Sequence, residues 1–326
     1  MPAPLLECLI VQPIHEAGLR VLREAGITPR LASAFDMPTV AAEVGDAVAA
    51  ITRNAGFNRA ALEAAPKLRV IGNHGIGTDP VDVAYATELG VPVVNNPTAN
   101  VISVAEHAIG LMLAVARRMF SADQATRARD FRWKFSNPQI ELTGKTLGII
   151  GYGTIGRETA RMAAAAFGMR VLVYSPNAPD SALGNATRAT TVEELLRASD
   201  VVSLHVKLSP ETRNLLSAER LALLKPSAIL INTARGAAVD EAALAEILRA
   251  GKIFGAGIDV FSTEPPPEGH PLLGAPNCVL APHVGGSTEE ALVRTATECA
   301  QQVVDVLAGR RPPNIVNPAS WTHRRT

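Results

Sequence analysis

Aromatic residues and cysteines are scarce in this chain, and neither sign of charge prevails. Aromatic residues make up 4% of the 326 positions, and the three cysteines, Cys8, Cys278 and Cys299, form no CxxC pair. Cysteines so far apart predict small buried side chains in a reducing compartment and no metal site. Lysine plus arginine and aspartate plus glutamate both count 31, so no net charge predicts binding to nucleic acid or to acidic membranes.

Long apolar runs are also missing. The run Ile109–Ala116 stops at Arg117 and Arg118, which is too short to cross a bilayer. The N-terminal segment contains Glu7 and has no basic n-region, so we expect no signal peptide and predict a cytoplasmic protein.

What the chain has instead is aliphatic: hydrophobic residues make up 47% of it. Short apolar runs without strict alternation are typical of parallel strands that helices cover on both faces. We therefore predict two α/β domains. In the first half, helices are predicted at His15–Ala25, Arg59–Ala65 and Asp82–Leu89, and strands at Leu5–Val11, Val48–Thr52, Arg69–Gly72 and Val91–Asn95. In the second half, strands are predicted at Thr146–Gly151, Arg170–Tyr174, Val201–His205, Ala228–Thr233, Gly255–Asp259 and Cys278–Ala281.

A glycine motif follows the apolar run Leu147–Ile150. Gly151-x-Gly153-x-x-Gly156 stands between this predicted strand and a helical segment, Arg157–Phe167, which is the context in which the motif indicates dinucleotide binding. Gly151 permits a tight turn, Gly153 lets the backbone approach a pyrophosphate, and Gly156 lets helix and strand pack closely. The second half is thus predicted to be a Rossmann-type doubly wound parallel sheet.

A long helix is predicted between the domains, at Val101–Met119, with Ser103-x-x-Glu106 as a capping box at its start. A second long helix, Glu289–Leu307, is expected to return to the first domain. The predicted division is a substrate domain of flavodoxin-like α/β fold, 1–99 and 287–326, built from both chain ends, and a dinucleotide-binding domain, 100–286.

Three polar side chains follow predicted strands of the second domain: Arg235, Glu264 and His283. Ligands of open parallel sheets lie beyond the carboxyl ends of the strands, so one crevice can hold all three. Arg235 offers a guanidinium fork to a carboxylate. His283 titrates in the range needed to move a hydroxyl proton, and Glu264 would fix its tautomer and favour the imidazolium.

At these residues the chain resembles the D-isomer-specific 2-hydroxyacid dehydrogenases. The matching segments are the glycine motif, Asn232–Gly236, Asp259 through Glu264-Pro265, and Pro282-His283-x-Gly285-Gly286. The resemblance implies that Arg235, Glu264 and His283 are catalytic and that the enzyme is a homodimer through the Val101–Met119 region. It also implies substrate contacts from Arg53, His74, Gly75, Ile76 and Gly77, together with Arg235 and His283. The implied cofactor contacts are Gly151, Gly153, Thr154, Ile155, Gly156, Ser175, His205, Val206, Lys207, Thr233, Ala234, Asp259, Gly285 and Gly286.

The cofactor is NAD or NADP. An acid is expected about twenty residues past the last glycine to bind the ribose of NAD, but Ser175 stands there. No arginine follows immediately, whereas Lys207 replaces a proline that is usual in the family. These two departures favour NADPH slightly and leave NAD open.

The expected partner is a small 2-oxo or 2-hydroxy acid. Asn54–Phe57 supplies no further cation for a substrate phosphate, so reduction of hydroxypyruvate or glyoxylate is favoured over a phosphoglycerate dehydrogenase activity. The alternative from another class is a nucleotide-sensing, corepressor-like binding protein, because fold alone does not fix function.

Overall fold

The computed structural model describes residues 6–326 and divides into two compact units. The first unit comprises residues up to Asn100 together with Gly286–Thr326, and the second comprises Val101–Gly285. Asn100 and Gly286 therefore belong to the first unit, one residue away from each predicted boundary. Leu5, the first residue of a predicted strand, lies outside the described residues.

The first unit contains a five-stranded parallel sheet with the order β2-β1-β3-β4-β5. Its strands are β1 Leu6–Ile10, β2 Ile27–Leu31, β3 Ala49–Thr52, β4 Val70–Asn73 and β5 Val93–Val94. Its helices are α1 Glu16–Glu24, α2 Met37–Val44, α3 Arg59–Glu63, α4 Val83–Glu88 and α11 Glu289–Leu307, and a short 3-10 helix covers Pro318–His323.

Helix α11 belongs to the core of this sheet although it comes from the far end of the chain. A Cβ added at Gly72 would lie 2.7 Å from Cys299 Sγ, and one at Gly18 would lie 2.6 Å from the carbonyl oxygen of Ala296. Glycine at these two places therefore lets β4 and α1 approach the helix closely. The predicted fold, with its first domain built from both chain ends, is confirmed.

The second unit contains a seven-stranded parallel sheet with the order β12-β11-β10-β9-β6-β7-β8. Its strands are β6 Thr146–Ile150, β7 Arg170–Tyr174, β8 Thr187–Arg188, β9 Val201–Leu204, β10 Ile229–Asn232, β11 Gly255–Ile258 and β12 Cys278–Leu280. Its helices are α5 Val101–Ala116, α6 Met119–Arg127, α7 Thr154–Phe167, α8 Val192–Ala198, α9 Ala218–Leu221 and α10 Glu241–Arg249, with 3-10 turns at Trp133–Phe135, Asp180–Ala182, Gly236–Ala238 and Pro271–Gly274. The order of the strands reverses between β6 and β9, and an open α/β sheet binds its ligand at such a point.

The long helix predicted roughly over Val101–Met119 is present as α5, but it ends at Ala116, and Arg118 takes a left-handed φ of 47° before α6 begins. The predicted capping box is wrong. Ser103 does not cap α5, since the helix has already begun at Val101. The Ser103 hydroxyl instead donates to the carbonyl oxygen of Gly285 at 2.6 Å.

Candidate active site

The glycine motif forms the turn between β6 and α7 at the reversal point of the sheet. Gly151 has a φ of 93°, and a Cβ there would lie 2.6 Å from the carbonyl oxygen of His205, just after β9. A Cβ at Gly156 would overlap with the carbonyl oxygen of Gly151. These two glycines are therefore required by close packing and by backbone conformation.

Gly153 is different, since a Cβ there would meet no atom within 4 Å. It is the N-cap residue of α7 and has no side chain with which to cap the helix, whereas Asp240 caps α10 and Thr288 caps α11. The first N–H groups of α7, from Thr154 onward, thus open beside free space, at the positive end of the helix dipole. This arrangement fits the pyrophosphate of a dinucleotide.

His205 and Val206 border the same turn from β9. Val206 Cγ1 would lie 2.9 Å from a Cβ at Gly151, and the His205 ring bonds to the hydroxyl of buried Ser203 at 2.9 Å. Burial lowers the pKa of His205 to about 4, so its imidazole is neutral at neutral pH. Lys207, next along the chain, is exposed.

Arg188 is a cation beside the end of β7 that was not predicted from the sequence. Arg188, on the edge strand β8, donates from Nη1 to the carbonyl oxygen of Ser175 at 3.0 Å and from Nη2 to that of Ala178 at 2.7 Å. Its Nη2 also lies 2.7 Å from Oδ1 of the exposed Asp180. No arginine closely follows Ser175 in the sequence, but the pairing of β8 with β7 places Arg188 beside Ser175.

Arg235 lies in the turn after β10, and buried Asn232 shapes that turn. Asn232 Oδ1 accepts the N–H of Ala234 at 3.0 Å, and its Nδ2 donates to the carbonyl oxygen of Arg235 at 2.9 Å. The Thr233 hydroxyl is buried and has no hydrogen-bond partner among the described residues. This orphaned polar atom is a candidate cofactor contact.

Glu264 and His283 form a hydrogen-bonded pair beyond the ends of β11 and β12. Glu264 Oε2 lies 2.8 Å from His283 Nδ1, and both side chains are about 30% exposed. Burial alone would raise the pKa of Glu264. The bond and charge of His283 and the N–H of Phe261 outweigh burial, so the pKa of Glu264 lies below its ordinary value. Nδ1 is thereby committed to a carboxylate, which leaves Nε2 for proton transfer.

Asp259 holds the backbone on which His283 stands. It is 1% exposed, and its two carboxylate oxygens accept the N–H groups of Val284 at 2.8 Å and Gly285 at 2.9 Å. His107 on α5 places Nε2 3.3 Å from Asp259 Oδ1. The predicted contact of Asp259 with the nicotinamide stays a prediction, whereas its support of the His283 loop is direct.

The predicted substrate residues of the first unit lie after β3 and β4. Asn73 Nδ2 donates to the carbonyl oxygens of Gly75 and Gly77, at 3.2 and 2.9 Å, and so shapes the turn around Ile76. His74 is 9% exposed, and its Nε2 has no partner among residues 6–326. Burial, and then the charge of Arg53, lower the pKa of His74 to about 4. Substrate binding by these residues stays a prediction.

Within residues 6–326, no cluster of three or more His, Cys, Asp or Glu side chains could hold a metal ion. Over the same residues, no helix is both long and apolar enough to span a membrane.

A sequence profile described as "D-isomer specific 2-hydroxyacid dehydrogenase, NAD binding domain" matches residues 109–285. The chain belongs to the D-isomer specific 2-hydroxyacid dehydrogenase family. The matched segment contains every glycine of the motif as well as Arg235, Glu264 and His283. The recognition made from the sequence motifs is therefore confirmed.

Relatives within the family carry different names. The chain is 40% identical over 317 residues to D-3-phosphoglycerate dehydrogenase of Methanocaldococcus jannaschii, covering 96% of this chain and 60% of that protein. It is 41% identical over 266 residues to glyoxylate reductase of Aeropyrum pernix, covering 78% of each. The crystal structure of NADPH-dependent glyoxylate/hydroxypyruvate reductase of Sinorhizobium meliloti, in complex with NADP and malonate, superposes with a TM-score of 0.87 at 30% identity, covering 99% of both chains.

The chain spans little more than half the length of the phosphoglycerate dehydrogenases it matches, 60% of the Methanocaldococcus protein and 53% of that from Mycobacterium leprae. It spans nearly all of the reductase from Sinorhizobium.

Proposed function

We propose that this protein is an NAD(P)-dependent 2-hydroxyacid dehydrogenase that works chiefly as a reductase of small 2-oxo acids, with hydroxypyruvate or glyoxylate favoured. The observation that carries the proposal is the His283–Glu264 pair, 2.8 Å apart, on the same edge of the sheet as the turn of Arg235 and the glycine motif. A nicotinamide would supply and accept the hydride.

The chain's own residues then have separate tasks. Arg235 holds the substrate carboxylate with its planar fork. His283 donates a proton from Nε2 to the oxygen of the 2-oxo group during reduction and accepts it during oxidation. Glu264 fixes the ring through Nδ1 and stabilises the imidazolium.

For the cofactor, we propose a preference for NADPH. Ser175 places no carboxylate at the end of β7, so this position does not repel a ribose 2′-phosphate. Arg188 supplies a guanidinium whose Nη1 is 3.0 Å from the Ser175 carbonyl oxygen. A phosphate can replace exposed Asp180 as the partner of this guanidinium, and Lys207 is the second candidate cation.

The experiment that tests the activity is initial-rate oxidation of NADPH and NADH with hydroxypyruvate, glyoxylate, pyruvate and phosphohydroxypyruvate. Fast turnover of hydroxypyruvate or glyoxylate with NADPH is expected. Preference for phosphohydroxypyruvate would instead establish a phosphoglycerate dehydrogenase, which the identity to those enzymes makes the second candidate. Tight cofactor binding without turnover of any acid would favour the nucleotide-sensing binding protein.

Cofactor preference has its own test in the variant Arg188→Leu. We expect the Kd of NADPH, measured by fluorescence titration, to rise roughly 10-fold, while the Kd of NADH stays within about twofold. Arg197→Leu, on helix α8, is the matched control. An equal loss for both cofactors would mean that Arg188 only shapes the loop after β7.

A homodimer is the assembly we propose. Helix α6 and the 3-10 turn Trp133–Phe135 bury none of their own residues. The segment exposes Phe120 on α6, Phe131 between the two elements and Phe135 in the turn, by 61, 68 and 79%. In a chain with 4% aromatic residues, such a concentration of exposed phenylalanine indicates a protein interface. It extends beyond the Val101–Met119 region predicted from the sequence.

A further inference from the structure

Resting on the proposed function, we propose that Glu241 and His270 form a clamp that positions Glu264 against His283. We call Glu241, Ser262 and His270 the loop clamp. Glu241 and His270 lie outside the motif segments named above, and we assign them as positioning residues because they act through Glu264.

The clamp closes the loop that carries Glu264. This loop runs from the end of β11 to the 3-10 helix Pro271–Gly274. Near its start, the N–H of Ser262 donates to Glu241 Oε1 at 2.8 Å, and the Ser262 hydroxyl donates to Oε2. At its far end, His270 Nε2 lies 3.2 Å from the same Oε2. One carboxylate thus ties both ends of the loop together.

Two of the three clamp side chains, Glu241 and His270, are largely shielded from solvent. The side chains of Glu241 and His270 are 10 and 11% exposed, and a buried carboxylate is costly unless it is paired and hydrogen-bonded. Glu241 is the first residue of α10, behind the N-cap Asp240, where the helix dipole also favours a negative charge. The His270 ring meets the Phe261 ring edge-on at 5.5 Å.

Short contacts lead from the clamp to the proposed catalytic pair. Phe261, the neighbour of Ser262, donates its N–H to Glu264 Oε1 at 3.0 Å, and the other oxygen of Glu264 meets His283 Nδ1. Gly236, the neighbour of Arg235, packs so closely on the Phe261–Ser262 backbone that a Cβ there would overlap with it. The segment that Glu241 holds therefore contacts both the Glu264 carboxylate and the turn of Arg235.

If the clamp positions Glu264, its loss must alter the ionisation of His283. The decisive experiment follows the histidine ring signals of the full chain by NMR titration, with the His283 signal assigned from its loss in His283→Asn. The variants are Glu241→Gln and, should that variant fold poorly, His270→Gln. Glu246→Gln, an exposed glutamate on the same helix, is the matched control, and Glu264→Gln marks the full effect of losing the carboxylate.

We expect the midpoint of the His283 titration in Glu241→Gln to move towards the midpoint measured in Glu264→Gln and to stay constant in Glu246→Gln. We also expect kcat/KM for the best oxo acid to fall about 10- to 100-fold, with the Kd of the cofactor unchanged. A lower melting temperature with an unmoved His283 midpoint would overturn the clamp and leave Glu241 a structural residue.

The titration does not depend on turnover. A shifted midpoint in a protein that reduces no oxo acid would retain the clamp and remove the proposed function. An unmoved midpoint in an enzyme that reduces an oxo acid would overturn the clamp and retain the proposed function.

Discussion

His283 has a left-handed backbone with a φ of 56°, a conformation that costs a residue with a side chain on the order of 1 kcal/mol. The bonds of buried Asp259 to the two residues that follow hold this conformation in place. The strain thus occurs at the residue to which the proposal assigns proton transfer, which is where such conformations concentrate. The sequence predicts the side chain, but it contains no signal for this backbone.

Replacing His283 by Asn should remove the proton donor while keeping a residue that tolerates a left-handed φ. We expect kcat to fall about 10²- to 10⁴-fold and the Kd of the cofactor to stay within about twofold, as measured by steady-state kinetics and fluorescence titration. His323→Asn, in the first unit, is the control. A collapse of cofactor affinity would show that His283 is structural instead.

Two buried histidines should make stability depend on pH. The pKa values of His74 and His205 are lowered from an ordinary 6.5 to about 4 in the folded protein. Between these pH values the two histidines are protonated in the unfolded chain and neutral in the folded protein. Their contribution is complete above about pH 6.5 and is lost as the pH falls towards 4. Urea unfolding at pH 7 and pH 5 should show a smaller loss of unfolding free energy in His74→Asn/His205→Asn than in the wild type. Equal losses would contradict these pKa values.

At the scale of elements, two glycines of the turn between β6 and α7 have different roles: Gly156 is needed for packing, and Gly153 leaves space for the cofactor. Gly156→Ala should destabilise the second unit by about 1–3 kcal/mol, because the new Cβ would overlap with the Gly151 carbonyl. Gly153→Ala should leave stability nearly unchanged, since no atom lies within 4 Å, yet it should weaken cofactor binding by filling the space beside the helix N-terminus. Thermal unfolding and cofactor titration of the two variants provide the comparison. Unchanged cofactor affinity in Gly153→Ala would place the pyrophosphate elsewhere.

The central strands of both sheets and the edge strands β5 and β12 could be predicted from the sequence, whereas the edge strands β2 and β8 could not. Central strands such as β6 and β10 read as unbroken apolar runs because helices cover both faces. The edge strand β2 contains Pro29 and Arg30, and β8 is the two residues Thr187–Arg188, so neither has an apolar pattern. Because β8 was not predicted, Arg188 was not identified as a candidate cofactor contact. The proposed catalytic residues could be named from the sequence because they stand in short motifs after β10, β11 and β12. The loop clamp could not, because α10 and the loop meet only through the fold.

At the scale of the whole molecule, the proposed dimer rests on the exposed side chains of Phe120, Phe131 and Phe135. Phe120→Ser/Phe131→Ser should convert a dimer into a monomer in size-exclusion chromatography with light scattering, because an interface depends on a few buried aromatic side chains. Phe35→Ser, at a residue that is 49% exposed in the first unit, is the matched control. A wild-type monomer, or a dimer that survives the double substitution, would contradict this interface.

The position of α11 has a consequence for biosynthesis. The second unit, Val101–Gly285, is one continuous stretch, so every residue it needs has been made before the chain reaches α11. The first unit begins the chain, yet the helix that packs on β4 and α1 is added nearly three hundred residues later. Until that helix leaves the ribosome, one face of the five-stranded sheet lacks its cover and offers apolar surface to chaperones. The domain that starts first is therefore the one that finishes folding last.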